Sequence, residues 1–96
     1  MDLALKVNDK DNVATVFAEN VESGALLSVV DKAGGRQEIK AACPIPYGHK
    51  VALCPIGPGE TVYKYGETIG RAGAHIKTGE HVHVHNMDST RGRGDL

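Results

Sequence analysis

Glycine and proline break this chain too often for an architecture of long helices. Twelve glycines and four prolines fall among its 96 residues, and each favours a turn or ends a regular element. Between the breaks sit short runs rich in β-branched and aliphatic residues, which suit a pleated, half-buried surface. The pattern predicts an all-β domain of short strands in folded-over hairpins. Leu3 to Val7 alternates and reads as a strand, and Asn8 to Asn12 as a turn. Val13 to Ala18 reads as a second strand, with a short helix as the alternative. Ala25 to Val30 and Gln37 to Lys40 flank the Gly34-Gly35 step of a hairpin. Cys43-Pro44-Ile45-Pro46-Tyr47-Gly48 reads as a rigid extended connection, because proline fixes φ and restricts the residue before it. Strands follow at His49 to Leu53, Thr61 to Tyr65 and Thr68 to Ala72, with turns at Ile56 to Glu60 and Lys77 to Glu80. Gly66 and Gly70 suit sharp doubling back or close backbone approach. No repeat of solenoid length is visible.

The length is that of one domain. With one Phe and no Trp, its core must be built from Val, Ile, Leu and Ala. Eleven Lys and Arg against twelve Asp and Glu leave no basic excess of the kind nucleic-acid binders carry. No apolar run matches a transmembrane helix of about 20 residues. The N-terminus lacks the basic start and apolar stretch of a secretory signal, so a cytoplasmic protein is expected. There Cys43 and Cys54 stay thiols, and two cysteines make no disulfide framework. Residues 1–88 are expected to form the domain and 89–96, polar and glycine-containing, a flexible tail or linker. Arg93-Gly94-Asp95 matches an adhesion tripeptide by chance.

The feature with most chemistry is Glu80-His81-Val82-His83-Val84-His85-Asn86. In an extended strand alternate side chains share a face. His81, His83 and His85 are expected in one row, with Val82 and Val84 behind them. Such a row can bind a divalent metal, bind an anion or move protons near neutral pH; it can also be only the polar face of an ordinary strand. His81, His83 and His85 are the candidate metal ligands. His83, His85, Asn86, His49, Lys50 and Arg71 are the candidate substrate contacts, Asn86 because its amide both donates and accepts. Lys64 is a further cation beside a glycine bend. His75, Cys43 and Cys54 read more simply as exposed or packed residues.

Four segments in order, Gly48 to Leu53, Ile56 to Val62, Lys64 to Ala72 and Ile76 to Asn86, resemble the N-terminal or small-subunit domain of the altronate and galactarate dehydratase family. The resemblance implies a SAF-type domain with a β-clip fold. It implies lyase chemistry on sugar acids or related hydroxy acids, a sulfolactate sulfo-lyase among them. It also implies a divalent metal, iron or manganese, held mainly by a partner, and a larger catalytic subunit or following domain with which the active site is shared. A homo-oligomer stays open. Two other readings stay open as well: a non-catalytic SAF module that binds carbohydrate or an anion, and a stand-alone metal site.

Overall fold

A computed structural model of the chain describes residues 2–89. Nine short strands make up its regular structure: β1 Asp2–Lys6, β2 Val13–Val16, β3 Leu26–Asp31, β4 Arg36–Lys40, β5 Lys50–Ala52, β6 Thr61–Lys64, β7 Glu67–Ala72, β8 His81–Val82 and β9 Met87–Ser89. No helix occurs among the described residues, as the glycine and proline pattern predicts. Val13–Val16 is strand, which removes the helical alternative there.

One sheet has the order β4-β3-β1-β2-β5-β8, the other β6-β7-β9. Among the described residues only β1 and β3 run parallel; the other pairs are antiparallel. The Gly34-Gly35 hairpin forms as expected, with Val30 opposite Arg36. The Asp31 carboxylate accepts from the Ala33 and Gly35 amides and holds that turn. Gly70 lies where β7 and β9 meet so closely that a Cβ would strike the Asp88 carbonyl. Ser89, the first residue of the expected tail, lies in β9; residues 90–96 of that tail are outside the described residues.

A short internal repeat organises the turns. Val21, Ile45, Ile56 and Ile76 are buried aliphatics, joined in the bridges Val21–Ile45 and Ile56–Ile76. Three residues after each comes a glycine at positive φ: Gly24, Gly48, Gly59 and Gly79. The next amide donates back three residues in all four turns, as from His49 to Pro46 (3.1 Å) and from Glu80 to Lys77 (3.1 Å). Positive φ at the third turn residue is the type II requirement, which glycine meets without steric cost. Each glycine amide also donates across to another strand, to Ala41, Val16, Ala72 and Ala52 respectively. The repeated unit is therefore a buried aliphatic plus a type II turn that folds one strand onto the next.

Two aliphatic clusters form the core. Ala4, Val16, Leu27, Ile45 and Val51 belong to one. Val13, Ala52, Val62, Ile76 and Val82 belong to the other. β2 and β5 contribute to both, so the two halves are held by shared strands. Burial of apolar area at about 25 cal/mol per Å² is the main favourable term in so small a domain.

Candidate functional site

The Pro46–His49 turn delivers His49 to the start of β5, and β5 pairs with β8, His81 opposite Val51 and Val82 opposite Lys50. This register carries His49, His81 and His83 to one place from positions far apart in sequence. His49 Nδ1 lies 2.8 Å from His81 Nε2, a hydrogen-bonding distance. The His49 and His83 rings are 4.7 Å apart between centroids, and His81 and His83 stack at 5.5 Å with 11° between their planes.

The strand carrying the histidines ends sooner than the alternation predicts. After Val82 the chain turns, and the Asn86 amide donates to the His83 carbonyl (3.0 Å). Asn86 Oδ1 accepts from the His83 amide (3.0 Å), and its Nδ2 donates to the His81 carbonyl (2.9 Å). A local asparagine side chain has here offered the backbone an alternative to the ladder. One expectation is corrected: Val84 is 73% exposed and not behind a histidine row. Asn86 is buried with both polar side-chain atoms hydrogen-bonded to the backbone, so it shapes the turn.

The expected ligand trio also changes. Each of His49, His81 and His83 offers a ring nitrogen, and these atoms lie within 4.8 Å of one another. His85 is exposed on the turn, its ring 5.3 Å from that of His81, outside the trio. The sequence ranked His49 only as a substrate contact, because its meeting with His81 depends on a β5–β8 register that local pattern does not specify. No carboxylate or thiolate joins the trio among the described residues. Three imidazoles without carboxylates fit a borderline divalent metal such as zinc or iron better than magnesium or calcium.

Burial and neighbouring charge both disfavour the protonated forms of His81 and His83. His81 is pushed down to about 4, first by burial, then by His49, His85, His83 and Lys50. His83 is lowered by the same kinds of cause, burial first and His49 next. Lys50 is lowered by burial and then by the Lys64 charge. At neutral pH His81 is therefore uncharged, with one ring nitrogen a donor and the other an acceptor. Arg71 lies exposed on β7 of the other sheet, in register with Thr61 and Asp88, apart from the cluster on β5 and β8.

His81 also forms part of the wall of an open groove of about 660 Å³, with Asn20, Val21, Glu22, Pro44, Ile45 and Pro46. Sequence reasoning missed Asn20 and Glu22, whose only mark was the turn chemistry of Asn; Asn20 has a φ of 59°. The rigid Cys43–Gly48 connection forms the other wall, and Cys43 Sγ accepts from the His81 amide at 3.3 Å.

Comparison with known proteins gives a consistent result. The altronate/galactarate dehydratase SAF domain matches residues 2–90. The (2R)-sulfolactate sulfo-lyase subunit alpha of Chromohalobacter salexigens is 43% identical over 95 residues, 95% of this chain and 99% of that protein. The protein of the same name from Paracoccus pantotrophus is 41% identical over 66 residues, 69% of this chain and 98% of its own length. Altronate dehydratase of Escherichia coli (strain K12) is 40% identical over 82 residues, 85% of this chain but 15% of the enzyme. The all-β fold of the described residues and these matches agree: the chain belongs to the altronate/galactarate dehydratase SAF domain family.

Proposed function

We propose that this chain is the small subunit of a lyase acting on a hydroxy acid, and that it completes an active site shared with a larger catalytic subunit. The observation that carries the reading is one of length. A protein named as subunit alpha of a sulfo-lyase matches 95% of this chain over 99% of its own length, whereas the same unit accounts for 15% of altronate dehydratase. A unit that occurs both as a separate subunit and as a small part of a larger enzyme is suited to a shared site. A cytoplasmic location goes with this reading.

The chemistry asks for few groups. A base removes the proton alpha to the substrate carboxylate. The bond to the leaving group on the neighbouring carbon then breaks, and sulfite or water departs with the bonding pair. The enol that remains becomes a keto acid. Lys50 supplies positive charge toward the carboxylate. His85, exposed beside His81, supplies an imidazole able to carry a proton to or from the leaving group. His81 lines the groove, and His49 and His83 cluster with it. Of the two named activities, the full-length match favours the sulfo-lyase. The test is co-expression with a large subunit of this family, then assay of the purified pair on (2R)-sulfolactate and altronate. The reading requires a stable complex that releases sulfite or water. Failure of the chains to associate, or an inert complex on both acids, overturns it.

A further inference from the structure

We infer that His49, His81 and His83 form a divalent-metal site belonging to this chain itself, and that His49, not His85, is its third ligand. The expectation from family resemblance placed a metal mainly on the partner. The geometry puts a near-complete donor set here. His49 Nδ1 and His81 Nε2 are 2.8 Å apart. Two nitrogens each about 2.1 Å from one ion stand about 3.0 Å apart at right angles and about 3.4 Å apart in a tetrahedral site. The hydrogen-bonded pair therefore has to open by only a few tenths of an ångström for an ion to replace the hydrogen now shared between the rings. The His83 ring lies beside the other two, so all three nitrogens fall within 4.8 Å of one another.

The scaffold behind the ligands is fixed. His49 follows a type II turn locked by Gly48. His81 is paired with Val51, and its amide donates to Cys43 Sγ. Asn86 ties the His81 carbonyl to the His83 amide and so sets the spacing of two ligands with one side chain. Groups that orient ligands in this way are a regular part of metal sites. The all-imidazole set selects zinc, iron or cobalt over calcium and magnesium. Three protein ligands also leave positions for a small molecule, as in open sites, and His81 opens onto the groove lined by Asn20 and Glu22.

This inference is independent of the lyase reading, because metal can bind without turnover and turnover can fail with metal bound. Its test uses the full chain without a histidine tag, stripped with chelator, and titrated with Co²⁺ by absorption and with Zn²⁺ by calorimetry. The expected result is one ion per chain. His49→Ala, His81→Ala and His83→Ala each weaken binding more than about tenfold, while His85→Ala stays within about threefold. In the wild-type protein Zn²⁺ should shift the ring nitrogen resonances of His49, His81 and His83 and leave His75 in place, a readout that needs no variant to fold. The inference is overturned by a dissociation constant weaker than about 1 mM for both ions. Binding that survives loss of His49 but not of His85, or ring shifts that spare His49, also overturns it.

Discussion

His49 and His81 are 32 residues apart in sequence and 2.8 Å apart in space, Nδ1 to Nε2. The contact holds only while at least one ring is neutral, since two imidazolium rings have no acceptor between them. Folding disfavours a proton on His81, first through burial and then through the charges around it.

A dependence of stability on pH follows, in chelator-treated protein. His81 titrates near 6.5 when unfolded and near 4 when folded. Between those values the unfolded chain binds more protons, so stability is fully present above about pH 6.5 and falls as pH drops toward 4. The lowering at His83 acts in the same direction. Urea midpoints at steps from pH 7.5 to 4.5 should decline, and His81→Gln should flatten the decline. Parallel curves for the two proteins would remove the linkage.

Asn86 supports two ligands at once, so its loss should be felt twice. Asn86→Ala leaves the His83 amide and the His81 carbonyl without their side-chain partners. The expected cost is about 1–3 kcal/mol in denaturant unfolding. Metal affinity should fall about 10–100-fold, the range for residues that orient ligands. A variant that unfolds earlier but binds Co²⁺ as before would confine Asn86 to the turn.

How far this site was legible in the sequence differs from residue to residue. The all-β class and the Gly34-Gly35 hairpin were readable because turn chemistry is local. The histidine alternation is plain in the sequence, but one shared face requires a strand that runs on through His85, and β8 ends at Val82. Asn86 ends it, and an asparagine three residues after His83 is a turn signal that was present and undervalued. His49 could not be paired with His81 from local pattern, because that contact rests on the β5–β8 register. The aliphatic-x-x-Gly spacing recurs four times, from Val21, Ile45, Ile56 and Ile76, yet a unit so short escapes a search for long repeats.

Asp11 should prove a structural hub far from the histidines. Its buried carboxylate accepts from the amides of Asn8, Tyr65 and Gly66. It thereby fastens the loop after β1 to the β6–β7 hairpin, whose turn holds Tyr65 and Gly66 at positive φ. Asp11→Ala strands three donors and should cost about 2–3 kcal/mol. Asp11→Asn keeps one acceptor oxygen and should cost less. Equal losses for the two variants, measured by thermal unfolding, would mean that the carboxylate's second oxygen carries the whole effect.

Gly79 and Gly24 occupy equivalent places in the repeated turn but should differ sharply when changed to alanine. Both have positive φ, 88° and 91°, so each pays about 1–2 kcal/mol for placing a Cβ in the left-handed region. At Gly24 a Cβ meets nothing within 4 Å, and the penalty ends there. At Gly79 it runs into the Lys40 carbonyl and the Ala42 amide, both backbone. The Gly79 carbonyl accepts from that Ala42 amide, and the Gly79 amide donates to the Ala52 carbonyl, so the turn cannot move aside without breaking a bond. Gly79→Ala should therefore destabilise the domain clearly more than Gly24→Ala. Because the turn feeds directly into His81, it should also weaken Co²⁺ binding, which Gly24→Ala should leave intact. Equal unfolding midpoints for the two variants would show that the Lys40 segment yields, and that the turn before His81 is held less firmly than its hydrogen bonds indicate.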